Sequence, residues 1–188
     1  MTAPSKIAVL ANRNGIDNQN LLVDAAERWR TCGGTIVGLV AQQRDGADSG
    51  CTAGYLRDIA TNRRFAIAHD EPPVGTTCHL DAEGMLGACL QLLPQIASSD
   101  AVILSKFGKM EVSRAGLWMA FSKAIAEGKP VLTTVSSKHV DVWTAFAPNA
   151  RWLESDFGSL ERWWQSISTE CDPAPRSGNA MRPSPHDG

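Results

Sequence analysis

Reactive side chains gather first where an apolar run stops abruptly. Ala101 to Ser105 (AVILS) gives way to Lys106, Gly108, Lys109 and Glu111. Such a run reads as a buried strand whose carboxyl end opens onto a site, the place where open α/β sheets bind ligands. A nucleotide hydrolase sets acids there to hold magnesium and polarise water. Here Ser105 and Lys106 occupy those places. Two lysines at a strand end hold a phosphate or other oxyanion as point charges. Arg114, at the start of the next helix, adds a fork-shaped donor. The alternative is local pairing of Lys106 with Asp17 or Glu111, with Lys109 only solvated.

A second candidate is the loop Asn12, Arg13, Asn14, Gly15, Ile16, Asp17, Asn18, Gln19, Asn20, between an apolar strand and a helix. That is the setting of a phosphate-cradling loop, whose working form reads GxxxxGK[ST]. This loop has one glycine, no lysine and no Ser or Thr. Arg13 and the unpaired N–H groups of the helix start are what it offers an anion. The competing reading is an ordinary β–α turn. A third candidate is Thr133 to His139 (TTVSSKH), where Lys138 precedes a helix and Ser137 reads as its cap. A fourth is a soft-metal role for Cys51, Cys78, His79 and His69, whose spacing matches no standard zinc pattern. Glu111 and Asp58 are the acids nearest to candidate sites, and no Ser-His-Asp or paired-carboxylate arrangement stands out.

These groups need a scaffold. KIAVLA (Lys6 to Ala11), TIVGLVAQ (Thr35 to Gln42), Asp100 to Ser105 and VLTTV (Val131 to Val135) are apolar along their length and read as strands covered on both faces. Helices are expected over 18–31, with Leu21, Leu22, Ala25, Ala26 and Trp29 on one face, and over 82–98, capped by Asp81. Three more are expected over 113–127, 140–146 and 157–167. Gly84, Gly87 and Pro94 weaken the second helix. Tyr55 to Ala60 and Arg64 to Ala68 read as a hairpin around Thr61-Asn62. Ala150 to Leu153 reads as a last edge strand. The alternation predicts a three-layer α/β domain over 1–168, with a mainly parallel sheet and an inserted β-hairpin. Four prolines among Ser, Gly and charge in 169–188 predict a disordered tail.

The net charge of −2 gives no nucleic-acid footprint. No apolar run approaches the ~20 residues of a membrane span, and Met1 to Lys6 lacks a signal segment, so the expected location is cytoplasmic. Five cysteines, an odd number with no CxxC pair, argue against a disulfide framework. Most tryptophans fall at helical spacing and read as core or interface.

The order of segments resembles the small P-loop nucleoside triphosphatases of the cancer-related/thermophilic family. Leu56 to Arg64 (LRDIATNRR) matches that family's "LxDxATGxR" stretch, and Leu80-Asp81 its "VD" at a helix start. Ser105 to Val112 (SKFGKMEV) matches its "DEIGKMEL" strand end, and Pro130 to Val135 (PVLTTV) its "PVLxTV" strand. The resemblance spans about residues 6–165 and implies a P-loop-NTPase-like fold. It sets Asn18 near the P-loop lysine and Gln19 near the Ser/Thr. Ser105 and Lys106 fall where that family keeps its metal-binding and catalytic acids. Both motifs are thus degenerate together.

The chain is still more similar to a P-loop-derived family of unknown function, often labelled molybdenum-transport ATP-binding proteins. Shared with it are the KFGKxE strand end (from Lys106), CxLD (Cys78 to Asp81) and a cysteine before the hairpin (Cys51). This resemblance implies molybdate, or a nucleoside triphosphate, as ligand, and molybdate-transport or molybdoenzyme components as partners.

The expectation is therefore a non-hydrolysing oxyanion- or nucleotide-binding accessory protein. Its anion site would comprise Asn12, Arg13, Asn14, Gly15, Asn18, Gln19, Asn20, Lys106, Lys109, Arg114 and Lys138. The alternatives are a slow nucleoside triphosphatase using Glu111 or Asp58, and a protein-binding scaffold with Trp118 or Trp143 as exposed anchors. Homo-oligomerisation is left open.

Overall fold

Strands that are apolar at every position need cover on both sides, and the computed structural model, which describes residues 4–11, 18–43, 54–68 and 80–168, supplies it. Among the described residues the sheet has seven strands: β1 (Ile7–Leu10), β2 (Ile36–Gln42), β3 (Tyr55–Asp58), β4 (Arg64–Ala66), β5 (Ala101–Phe107), β6 (Val131–Val135) and β7 (Arg151–Leu153). Their order is β4-β3-β2-β5-β6-β1-β7. From β2 to β7 neighbours run parallel. The inserted hairpin β3–β4 adds antiparallel to β2 at one edge, as expected. Expectations on 44–53, 69–79 and the tail 169–188 lie outside the described residues.

Helices α1 (Asn18–Thr31) and α6 (Phe157–Ile167) cover one face. Leu22, Ala25, Trp29, Leu160 and Trp163 meet Ala8, Leu10 and Ile103 there, and Trp29 stacks on Trp164 at 4.5 Å. The other face carries α2 (Ala82–Ile96), α4 (Trp118–Ala126) and α5 (Val140–Phe146). Cys89, Leu92, Phe121 and Trp143 pack there on Val9, Val102 and Leu104. Alternate strand residues thus serve opposite cores, as the pleat requires.

Asp81 caps α2, accepting from the Glu83 N–H at 2.9 Å, and the helix ends at Ile96, two residues sooner than expected. Gly84, which weakens α2 in a propensity count, is required by packing. A Cβ there would lie 2.0 Å from the Ala66 carbonyl oxygen of β4.

Two elements differ from expectation. The strand expected to stop at Ser105 continues to Phe107. Three steps along β5, from Leu104 to Phe107, oppose two along β6, from Thr133 to Val135. This is a bulge at Ser105-Lys106. The helix expected over 113–127 begins only at Trp118 (α4), and ahead of it lie a turn and a short helix that is not in the expectation, α3 (Lys109–Val112). Arg114 and Gly116 in that turn have φ of +57° and +60°. Arg114 therefore sits in a turn and not at a helix start. Nor does Ser137 cap a helix through its side chain: a 3₁₀ turn, Ser137–His139, precedes α5.

Candidate functional site at the carboxyl ends of the strands

The parallel strands deliver their carboxyl ends to one edge, where α1 begins. Gln19, in the first turn of α1, holds that edge together. Its Oε1 accepts the Ala41 N–H of β2 at 2.9 Å, and its Nε2 donates to the Ser105 carbonyl of β5 at 3.0 Å. The bulge turns the Ser105 carbonyl out of the regular ladder. The Thr134 hydroxyl of β6 donates to the same oxygen at 2.8 Å. One side chain and one hydroxyl thus join α1, β2, β5 and β6. Asn18 is 7 % exposed. Its Nδ2 donates to the Ala11 carbonyl at 3.4 Å, and its Oδ1 has no hydrogen-bond partner. Asn20 is exposed. Asn12, Arg13, Asn14 and Gly15 lie outside the described residues, as do Cys51, His69, Cys78 and His79 of the proposed soft-metal cluster.

On β5, Phe107 is buried and its ring meets Phe121, Trp143 and Phe146 at centroid distances of 5.0–5.7 Å. That anchor fixes the strand end, while Lys106 and Lys109 on either side of it are exposed. The Ser136 N–H donates to the Phe107 carbonyl at 3.0 Å. It brings the segment bearing exposed Lys138 alongside the one bearing Lys106 and Lys109. Arg114 is exposed, with its guanidinium 5.9 Å from the Trp118 ring centroid. The segments that follow β5 and β6 thus present exposed cations in a protein of net charge −2.

The two acids stand differently. Glu111 is 3 % exposed. Its Oε2 accepts the Gly108 N–H and its Oε1 the Leu117 N–H, both at 2.9 Å. From position N3 it caps the start of α3 through the Gly108 N–H and ties down the turn into α4 through the Leu117 N–H. Burial pushes its carboxyl above the usual range, opposed by those two N–H groups and by the charge of Lys106. Gly116 is obligatory beside it, since a Cβ there would lie 2.6 Å from Glu111 Oε1. Asp58 does not reach this edge. Being on an antiparallel strand, it pairs with Leu39, the middle residue of β2, three residues short of the carboxyl end at Gln42. Its Oδ1 accepts the Ala60 and Thr61 N–H groups and its Oδ2 the Gln95 amide, at 2.8–3.0 Å. Of the tryptophans offered as anchors, Trp143 is fully buried and Trp118 is half-buried.

Clefts of about 370 and 540 Å³ open at the opposite, amino-terminal edge, and both include Lys6, Gly128 and Lys129. Those ammonium groups are held by main-chain carbonyls: Lys6 by Gly128 at 3.1 Å, Lys129 by Ala97 and Ser99 at 2.7 and 2.8 Å. Of the groups chosen for an anion from the sequence, Asn18, Gln19, Lys106, Lys109 and Lys138 lie on segments at the other edge. Sequence reasoning missed the bonding of Gln19 and Thr134 to the Ser105 carbonyl. Gln19 had been singled out by position, but the register that presents Ser105 has no local signal.

In this fold magnesium would accompany a nucleotide at the carboxyl edge. The described residues do not suit it. Magnesium takes hard oxygen ligands, usually one or two carboxylates with waters. Both Glu111 oxygens are taken by main-chain N–H groups, Gln19 is engaged at both ends, and Lys106 is a cation. Among the described residues no three His, Cys, Asp or Glu converge to hold a metal. No helix among them is long and apolar enough to cross a membrane.

Sheet order, layers and edge define the class: a three-layer, mainly parallel α/β protein with the nucleoside triphosphatase fold. The solution structure of a human cancer-related nucleoside triphosphatase superposes with a TM-score of 0.58 over 86 % of this chain and 95 % of that one. At 14 % identity the likeness is one of fold. Residues 7–163 match the family described as protein of unknown function (DUF2478), and the chain belongs to that family. The molybdenum import ATP-binding protein ModC 2 of Bradyrhizobium diazoefficiens is 32 % identical over 170 residues. Those residues are 88 % of this chain but only 19 % of that relative.

Proposed function

We propose that this chain is a non-hydrolysing accessory protein that binds an oxyanion, or the phosphates of a nucleotide, at the carboxyl edge of its sheet. The observation that carries the reading is the pair of exposed lysines at the end of β5, of which Lys106 stands, on the resemblance, where an acid would be. Lys106 and Lys109 are exposed on either side of the anchored Phe107, and the Ser136–Phe107 bond draws the Lys138 segment to the same edge. The first loop adds Arg13, and the start of α1 adds main-chain N–H groups and partial positive charge. Both nucleotide-hydrolysing motifs are degenerate on this reading, with Asn18 and Gln19 for lysine and hydroxyl, Ser105 and Lys106 for the acids.

The relative named for molybdenum import supports molybdate handling as the setting, through transport or molybdoenzyme components as partners. Molybdate is a tetrahedral dianion, suited to ammonium groups and amide N–H donors. A hydrolytic role for Glu111 or Asp58 has less support, because the first has both oxygens on main-chain N–H groups and the second has its oxygens taken by two main-chain N–H groups and the Gln95 amide.

Calorimetry with molybdate, tungstate, phosphate, ATP and GTP tests the proposal. At least one is expected to bind, with affinity falling roughly tenfold in Lys106→Ala or Lys109→Ala, the scale of one charge-assisted contact. Binding of none, or unchanged binding in both variants, removes it.

A further inference from the structure

We infer that the site takes its anion free of magnesium, so that added magnesium weakens nucleotide binding. This rests on the anion-binding reading above and deepens it, naming an uncomplexed oxyanion as the ligand class.

The first ground is Gln19. At the position where the fold's metal-binding hydroxyl is expected, its carboxamide is spent on the main chain. Oε1 takes the Ala41 N–H and Nε2 gives to the Ser105 carbonyl. Turning outward to a metal would orphan the Ala41 N–H and loosen β2 from α1. The second ground is the Ser105 carbonyl itself. A carbonyl oxygen has two lone pairs, and here it accepts from both Gln19 and Thr134. The third is charge. Lys106 follows Ser105 directly and is exposed at this edge, and Lys109 lies three residues on. The carboxylate that follows these lysines, Glu111, is buried with an N–H on each oxygen. Among the described residues, the groups that β5 and α3 leave to a ligand are thus donors, and a divalent cation on the phosphates would face their ammonium groups with no free carboxylate on those two elements to share it.

ATP carries two more negative charges free than as its magnesium complex. The predicted sign is therefore the reverse of the usual dependence in nucleotide hydrolases. The expected penalty is roughly tenfold, the scale of one to two unit charges withdrawn from ammonium contact in water-like surroundings. Molybdate, which magnesium complexes weakly, serves as the control.

The test titrates the full chain with ATP and with molybdate, in EDTA and in excess magnesium chloride at matched ionic strength. ATP is expected to bind in EDTA and to weaken roughly tenfold with magnesium; molybdate is expected to change by no more than about twofold. ATP binding that tightens with magnesium, or that requires it, overturns the inference while leaving anion binding standing. Binding of neither probe under either condition overturns the anion-binding reading and this inference together. Gln19→Ala separately tests the first ground by amide hydrogen exchange. Faster exchange at Ala41 is expected, and unchanged exchange would show that the carboxamide is not committed as described.

Discussion

Removing the Glu111 carboxylate separates two roles that a buried acid can play. Glu111→Ala deletes the acceptor for two main-chain N–H groups, those of Gly108 and Leu117. A buried donor left without a partner costs about 1–3 kcal/mol. Gly108 is only partly buried and can turn to water, so its share falls at the low end; Leu117 is fully buried. With the cavity left by the side chain, the expected loss is about 3–4 kcal/mol. Glu111→Gln keeps the shape and one acceptor but sets an NH₂ against the second N–H, losing about 1–2 kcal/mol. Against that, it removes a buried charge whose desolvation outweighs its hydrogen bonds, since its pKa is raised. At pH 7 Glu111→Gln should therefore lie within about 1 kcal/mol of wild type, far above the alanine variant. The pH dependence has a definite sign. Below the ordinary value of 4.5 the group is protonated in both states. Above it the unfolded chain ionises first, so wild-type stability falls relative to Glu111→Gln until pH passes the raised folded-state value. Urea denaturation of the three proteins at several pH values measures this, with the m-value checking that the transition stays two-state. An alanine variant no less stable than the glutamine variant, or a wild-type minus glutamine difference that grows with pH, would refute the reasoning.

Three further outcomes follow from the geometry. Asp58→Asn should cost about 1–2 kcal/mol, because its NH₂ would face the Gln95 amide, and should leave anion affinity unchanged. Calorimetry and denaturation together check this, and lost anion binding would contradict the placement of Asp58 outside the anion site. Gly84→Ala should destabilise by about 2 kcal/mol or more despite a helix-propensity gain of about 1 kcal/mol, because its Cβ would meet the Ala66 carbonyl. A higher melting temperature would show that the α2–β4 approach is looser than described. Thr134→Val keeps the shape and removes one of two donors to the Ser105 carbonyl, for a loss of about 1 kcal/mol by denaturation; a stability change within error would mean Gln19 alone suffices.

Periodicity and end signals made much of the fold readable. The limits of α1, α5 and α6 follow from apolar spacing bounded by polar or glycine residues, and the strands from short runs apolar on both faces. What escaped depends on contacts across the sequence. The apolar pattern runs from Ala115 into α4, and Gly116 is the one local sign of the break ahead of it. That break comes from the Glu111 carboxylate reaching the Leu117 N–H, with Gly116 accommodating it. The bulge at Ser105-Lys106 belongs to the pairing with β6 and has no signature on β5. Asp58 is a different case. Once the hairpin is expected, a strand antiparallel to β2 must run from the carboxyl edge toward the amino edge. Its last residue could have been placed short of the carboxyl edge from the sequence. At the site, the cations could be named because exposed lysines beside an apolar strand end stand out. The use made of Gln19 could not, since both partners lie on other elements.

The junction at Gln19 and Thr134 also bears on the order in which the molecule is assembled and taken apart. Its bonds span 22, 86 and 29 residues of chain. The junction is complete only when α1 and the ends of β2, β5 and β6 are all in place, so as a whole it contributes little at the barrier to folding. Contacts of that kind add most of their free energy to the barrier against unfolding. The carboxyl edge is thus a late-closing seam, and Gln19 would set how long the native state lasts more than how fast it forms.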